Sequence, residues 1–208
     1  WTLPLVIPPG APSSPFSWSP DGKTILFVKV VSPYSGDKQF STIQLLNVAD
    51  GTYKPLTTRT KLEGFPKLAP DGKNISYWFK KNDNISSINE LWITDANDNE
   101  GKPISTQLNR DLYLSTWLPD GKNLLVGGHN DNKTSMWRMS LDGKTTPLNI
   151  GNVSPSWGFW LDATVSKTGA IAFTGSEPNK VNELYYMAST TSKLVQLTDY
   201  NNEVSTMT

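Results

Sequence analysis

Cysteine is absent from this chain, so no disulfide framework, thiol nucleophile or thiolate zinc site can be built from it. That absence suits a reducing and an oxidising compartment equally, and localisation stays open. Histidine is nearly absent: His129 stands alone, in a polar Gly-Gly-His-Asn-Asp-Asn segment that reads as a loop. A general base needs a nucleophile and an orienting acid beside it, and no pattern in the sequence assembles them. Excess charge is missing as well, since 19 Lys and Arg balance 19 Asp and Glu. No counterion-release term then draws the chain to nucleic acid or to an anionic membrane surface. Long apolar runs are missing too. The longest near the start, residues 3–7, contains Pro4, is followed by Pro8 and Pro9, and lacks the length and basic flank of a signal or membrane segment. Gly-x-Ser-x-Gly elbows, glycine-rich phosphate loops and His-Glu-x-x-His helices do not occur. No catalytic residue, cofactor or metal site is expected.

What is present is turn chemistry and aromatics. The chain holds eight tryptophans and fills the gaps between apolar stretches with Asn, Ser, Thr, Gly and Pro, the composition of an all-β protein rich in turns. The segment Ser19-Pro20-Asp21-Gly22-Lys23 returns as Ala69-Pro70-Asp71-Gly72-Lys73 and as Leu118-Pro119-Asp120-Gly121-Lys122, with a worn copy at Ser166-Lys167-Thr168-Gly169. The four glycines are separated by 50, 49 and 48 residues. A period of that size is the signature of a repeat architecture. Proline presets the first turn position, aspartate hydrogen-bonds within the second, and glycine supplies a positive φ, which predicts a three-residue hairpin loop. Turn geometry accounts fully for Asp21, Asp71 and Asp120, so they are not read as catalytic carboxylates.

Apolar residues align around each turn. Trp18, Leu68, Trp117 and Val165 lie four residues before the glycine; Ile25 and Phe27, Ile75 and Tyr77, Leu124 and Val126, and Ile171 and Phe173 follow it. Alternation at i and i+2 predicts strands. A third strand is predicted at residues 43–48, 90–93, 136–139 and 183–187, and a last one at Pro55-Leu56, Pro103-Ile104, Pro147-Leu148 and Gln196-Leu197, where an edge tolerates proline. Four strands per repeat match a β-propeller blade. The expected fold is therefore an all-β propeller segment of four repeats at residues 14–58, 64–108, 112–149 and 159–199, with residues 200–208 as a linker.

Pro4-Leu5 matches Pro55-Leu56, which makes residues 1–9 the outer strand of a preceding blade. Either that blade lies outside this chain, the preferred reading, or the strand competes with residues 194–198 to close a four-bladed ring. A start at Trp1 is expected of a processed or trimmed product. An incomplete ring leaves edges open to self-association.

Long connections at residues 31–40, 80–89, 127–133, 152–160 and 175–182 contrast with the tight turns and define a candidate interaction face. It carries Tyr34, Phe40, Lys80, Lys81, His129, Trp157, Phe159, Trp160 and Glu177. Packing between blades is the simpler reading of Trp157 and Trp160. Residues 95–101 imitate a calcium loop, but the glycine comes one residue late and Thr106 stands where the twelfth-position acid belongs. Sequons at Asn74, Asn84, Asn132 and Asn152 are expected by chance in a chain so rich in Asn, Ser and Thr.

The repeat followed by Thr24-Ile25-Leu26-Phe27 is similar to the Asp-Gly propeller repeats of Tol-system proteins and of the prolyl oligopeptidase family. The last unit, Thr174-Gly175-Ser176-Glu177-Pro178, then Asn182-Glu183-Leu184-Tyr185-Tyr186, then Gln196-Leu197-Thr198-Asp199-Tyr200-Asn201, resembles the final blade of that peptidase family, of dipeptidyl or acylaminoacyl peptidase type. The resemblance implies that an α/β-hydrolase domain follows in the parent protein and supplies serine, aspartate and histidine. The propeller would then filter peptide substrates, and no catalytic residue carries over to this chain. Glu177 lacks the acidic neighbour that the family's paired glutamates would require. The alternative is a Tol-like or sensor propeller that binds another protein.

Overall fold

The computed structural model describes residues 16–32, 34–97, 100–156, 161–178 and 180–200. The expected outer strand at residues 1–9 lies outside them, as does the expected linker from residue 201 on. The chain divides into two compact units, residues 1–109 and 110–208, each containing two antiparallel sheets.

In the first unit, one sheet runs β1 (Ser17–Trp18), β2 (Thr24–Val30), β3 (Ser41–Asn47) and β4 (Tyr53–Pro55), in that order. The second sheet repeats the meander with β5 (Glu63–Leu68), β6 (Asn74–Lys80), β7 (Asn89–Asp95) and β8 (Lys102–Pro103). In the second unit the third sheet is built from β9 (Leu112–Trp117), β10 (Asn123–Asn130), β11 (Lys133–Ser140) and β12 (Thr145–Pro147). The fourth contains β13 (Ser154–Pro155), β14 (Ala163–Val165), β15 (Ile171–Ser176), β16 (Glu183–Met187) and β17 (Val195–Gln196). Helix among the described residues is limited to short 3-10 turns at Ser35–Gln39 and Lys81–Asp83.

The repeated turn works as its residues dictate, with one difference. Gly22, Gly72, Gly121 and Gly169 all have positive φ, between 61° and 87°, and each donates its N–H to the residue three back, Ser19, Ala69, Leu118 and Ser166. The aspartate side chain accepts the next N–H, from Lys23, Lys73 and Lys122. The hairpin closes between Ser19 and Thr24, so the loop holds four residues rather than three; only in the worn copy, closed between Ser166 and Ala170, is it three. The lysine after glycine supplies the extra residue, and the missing residue of the fourth repeat therefore sits inside its turn.

Cross-strand register sorts each sheet into two apolar faces. In the first sheet Trp18, Ile25, Leu46 and Tyr53 stand in one row, with Phe27 in the next. Leu26, Val28, Ile43 and Leu45 occupy the reverse face. That reverse face packs on Ile75, Tyr77 and Phe79 of the second sheet, the positions equivalent to Ile25 and Phe27 and their neighbour. The second unit repeats the arrangement: Leu125 and Met136 of the third sheet pack on Ile171, Phe173 and Tyr185 of the fourth. One kind of face thus meets the other kind in both units. Fully burying a side chain of this size contributes about 1.5–3 kcal/mol, so a few such contacts per pair of sheets outweigh any single turn.

Two expected loops are resolved differently. Residues 127–133 are not a long connection, because β10 continues through His129 and Asn130, and Asp131, at φ 56°, turns the chain directly into β11. The Gly-Gly pair that suggested a loop answers to crowding: a Cβ on Gly128 would fall 2.1 Å from the Asp111 carbonyl oxygen. Within residues 152–160, Ser154 and Pro155 form β13, which pairs with the same strand, β15, as β14 does. The first strand of the fourth sheet is split in two, and β13 precedes residue 159, the expected start of that repeat.

Gly22 tests the turn cleanly, because a Cβ added there would meet nothing within 4 Å and only the φ of +70° opposes a side chain. Gly22→Ala is expected to cost about 1–2 kcal/mol in urea denaturation, and Gly22→Asn less, because asparagine tolerates the left-handed region. Equal stability of all three proteins would remove the turn from the account.

Candidate functional site

The connections between second and third strands, with the strand ends beside them, carry Tyr34, Phe40, Lys80, Lys81, His129 and Glu177. In the first unit, residues 31–40 fold back through the 3-10 turn. The Ser32 hydroxyl donates to the Asp37 carboxylate and accepts the Tyr34 N–H, while the Asp37 N–H donates to the Tyr34 carbonyl at 3.0 Å. Gln39 then accepts the Leu62 N–H at 2.7 Å, tying this connection to the one between β4 and β5. Tyr34 is left 75% exposed, and Phe40 is also exposed.

Lys80 and Lys81 fasten the neighbouring connection. The Lys80 ammonium donates to the Ser87 carbonyl at 2.9 Å, and the Lys81 ammonium to Asn109 Oδ1 at 2.7 Å. Asp83, in the left-handed region, pairs with Lys61 at 3.4 Å. The second unit uses the same device: Asp131, also left-handed, lies 3.7 Å from Arg110. Both pairs are solvent-exposed, so each contributes at most about 1 kcal/mol, and their repetition speaks for loop placement more than for stability.

His129 is in a strand. Its ring meets Tyr113 edge-on at 5.0 Å, and the Tyr113 hydroxyl donates to Asp111 at 2.9 Å. Burial, then the hydrogen bond and charge of Asp111, push the Tyr113 phenol up to about 12. Glu177 forms an ion pair with Lys180 at 3.0 Å. Trp157, Phe159 and Trp160 lie outside the described residues. Tyr34, Phe40, Lys80 and Lys81 therefore belong to the first unit, and His129 and Glu177 to the second. Among the described residues no group of three or more His, Asp or Glu stands where it could hold a metal, and no helix is long and apolar enough to cross a membrane.

Beneath these loops lies polar machinery that the sequence reading did not single out. A hydroxyl residue follows the apolar anchor of three last strands: Leu56-Thr57, Ile104-Ser105 and Leu197-Thr198. The Leu91 N–H donates to the Ser105 hydroxyl at 2.8 Å, and the Leu184 N–H to the Thr198 hydroxyl at 2.9 Å. In the first sheet a carboxylate takes over this duty: the Ile43 N–H donates to Glu63 at 2.9 Å, and Thr57 donates to the other oxygen of the same carboxylate. Thr198 likewise donates to the buried Glu183. The recurrence of Ser or Thr after the anchor was the available signal. No local pattern announces Glu63, because its partners lie 20 residues and 6 residues away.

Arg59 also escaped the sequence reading. Its guanidinium lies 4.3 Å from the Trp92 ring centroid and 4.5 Å from that of Phe79. It donates to the Tyr77 hydroxyl at 3.0 Å and to the Glu100 carbonyl at 2.8 Å. Delocalised charge on an aromatic surface, with Nη1 engaged by two acceptors, is a structural use of arginine.

Burial raises the Glu63 carboxyl above its usual range, against the opposing pull of Thr57, the Ile43 N–H and the Arg59 charge. A pKa that is higher in the folded than in the unfolded state contributes stability at low pH and loses it as pH rises through the folded value. Urea midpoints of the native protein should therefore fall relative to those of Glu63→Gln as pH rises from about 4 to about 8. Glu63→Ala, which leaves the Ile43 N–H without its acceptor, should cost about 1–3 kcal/mol. Parallel pH profiles for native protein and Glu63→Gln would refute the assignment.

Comparison with known proteins places this geometry. No family model matches the chain. It is 26% identical over 142 residues to dipeptidyl-peptidase 5 of Porphyromonas gingivalis, a match covering 65% of this chain and 21% of that protein. Against dipeptidyl-peptidase 5 of Aspergillus fumigatus it is 24% identical over 185 residues, covering 80% of this chain and 26% of that protein. The chain thus spans about a quarter or less of the length of these curated relatives. Among solved structures, acylaminoacyl peptidase of Pyrococcus horikoshii matches with a TM-score of 0.66 and 18% identity, over 94% of this chain and 28% of that one. The β-propeller domain of the trilobed protease from Pyrococcus furiosus matches with a TM-score of 0.59 and 16% identity, over 89% and 56%. TolB from Acinetobacter baumannii matches with a TM-score of 0.64 and 20% identity, over 88% and 42%. The chain is an all-β propeller segment that resembles the propellers of prolyl oligopeptidase family peptidases, with a fold shared by TolB.

Proposed function

We propose that this chain is a noncatalytic propeller part of a serine peptidase of the prolyl oligopeptidase family, gating and filtering peptide access to an α/β-hydrolase domain of the same parent protein. The observation that carries this reading is the similarity to dipeptidyl-peptidase 5 along 65–80% of the chain. The loop residues support it. Lys80 and Lys81 hold their loops through backbone and amide oxygens, so these connections have defined shapes able to discriminate peptides by size. The division into blades at residues 14–58, 64–108, 112–149 and 159–199 forms part of the same proposal.

TolB similarity over 88% of the chain favours a second reading, a propeller that holds another protein. The two readings differ in what they ask of the loops. A filter changes which peptides reach a distant nucleophile, whereas a binding module captures a partner and alters no turnover.

The test compares this chain with a parent protein that contains the hydrolase domain. The chain alone should not react with a fluorophosphonate serine probe or turn over dipeptidyl chromogenic substrates. In the parent, Tyr34→Ala or Lys81→Glu should change kcat/KM for longer peptides by about tenfold while leaving dipeptidyl substrates within about twofold. Labelling of this chain at enzyme-like rates would contradict the noncatalytic assignment, and equal effects on both substrate lengths would contradict the filter.

A further inference from the structure

Aspartate precedes glycine in five places, at Asp21-Gly22, Asp50-Gly51, Asp71-Gly72, Asp120-Gly121 and Asp142-Gly143. Such a pair is a chemically weak point of a main chain, because glycine has no side chain to keep its nitrogen away from the preceding carboxyl carbon. Folding occupies both reacting groups. The N–H groups of Gly22, Gly72, Gly121 and Gly143 donate to the carbonyls of Ser19, Ala69, Leu118 and Ser140, and that of Gly51 donates to Asn47. Each carboxylate accepts the N–H two residues on, from Lys23, Thr52, Lys73, Lys122 and Lys144.

A further donor separates one pair from the other four. Asp21 also accepts the Ser19 hydroxyl at 2.7 Å, Asp50 the Thr52 hydroxyl at 2.7 Å, and Asp142 the Ser140 hydroxyl. Asp120 takes the Asn123 side-chain amide at 2.7 Å and the Asn123 N–H at 2.9 Å. In the Asp71 turn, Ala69 stands where Ser19 and Ser140 supply their hydroxyls. Asn74 occupies the position of Asn123, yet among the described residues the Lys73 N–H, at 3.0 Å, is the one donor on the Asp71 carboxylate. The hydroxyls of Ser19, Thr52 and Ser140, followed by the N–H groups of Lys23, Thr52 and Lys144, hold the carboxyls of Asp21, Asp50 and Asp142 below their usual range. Such donors matter because they fix the side chain and favour the ionised form, whereas ring closure consumes the protonated acid.

We propose that Asp71-Gly72 is the modification site of this chain, the pair at which the folded protein forms isoaspartate. The Gly72 nitrogen attacks Cγ of Asp71; the N–Cγ bond forms, the Cγ–OH bond breaks, and the hydroxyl leaves with the amide proton as water. The product is a succinimide. Water then opens the ring at either carbonyl, which restores aspartate or leaves the main chain running through the former side chain, with the α-carboxylate free. No oxidant or other co-reactant is needed.

The isomer adds one carbon to the main chain inside the turn that joins β5 to β6. The bonds from Gly72 to Ala69 and from Lys73 to Asp71 were made for the shorter path. Ile75 and Tyr77, which β6 carries from this turn into the core, connect the damage to the packing of the first unit. The displaced carboxylate is also the chemical feature that a methyltransferase acting on isoaspartate recognises, and Asp71 is where an enzyme of that class would act on this protein.

Incubation of the native chain at pH about 5, where a fraction of aspartic acid is still protonated, tests the assignment. Isoaspartate is located by peptide mapping with an isoaspartyl methyltransferase as the probe, and each rate is divided by that of the same pair in denaturant, which removes the effect of neighbouring residues. The normalised rate at Asp71 should exceed the other four by about fivefold, the scale of one hydrogen bond to a carboxylate. Ser19→Ala should bring Asp21 up to the Asp71 rate, Ala69→Ser should slow Asp71, and Asn74→Ala should leave Asp71 unchanged. Far-UV circular dichroism checks that each variant is folded, and Ser19→Ala decides the matter if Ala69→Ser is not. Equal normalised rates at all five pairs, a faster pair elsewhere, or an Asp21 that stays slow in Ser19→Ala would overturn the proposal.

Discussion

Apolar side chains on both faces of every sheet are the constraint from which the rest of this structure follows. An apolar sheet face is removed from water by packing on another such face. The first sheet presents Ile25 and Phe27 on one side and Leu26 and Ile43 on the other; the fourth presents Ile171 and Phe173, then Leu184 and Tyr186. Within each unit only one face of one kind meets one face of the other kind. In the second and third sheets, side chains of both faces are buried: Tyr77 with Trp78, and Val126 with Leu125.

Much of this was legible in the residues because it is local. The Asp-Gly turns announce themselves by composition, and their spacing of about fifty residues fixes the repeat. Two-residue alternation after each turn marks the strands, so Ile25 and Phe27 or Leu124 and Val126 could be placed on a common face without coordinates. What escaped was set by contacts distant in sequence. Gly127 and Gly128 look like a loop but are strand residues kept small by Asp111 and Leu161. The split first strand of the fourth sheet depends on β15 pairing with two separate segments. Glu63 caps an N–H belonging to another sheet, and no local rule predicts that.

The candidate interaction residues show the same division. Exposure of Tyr34 and Phe40 follows from their place in a long connection. The occupation of Lys80, Lys81 and Glu177 by intramolecular partners does not, since sequence cannot tell a spare charge from one already engaged. The peptidase relatives and the TolB structure share the scaffold, and function on a shared scaffold is decided by what the loops hold.

Amide hydrogen exchange, resolved to individual strands, tests most directly whether the packed faces within a unit hold both of its sheets, because it reads how readily each sheet opens. If they do, Leu26→Ala, which empties a fully buried position of that packing, speeds exchange at least about tenfold in β2, β3, β6 and β7 alike. Faster exchange confined to β2 and β3, with β6 and β7 unchanged, would contradict the account.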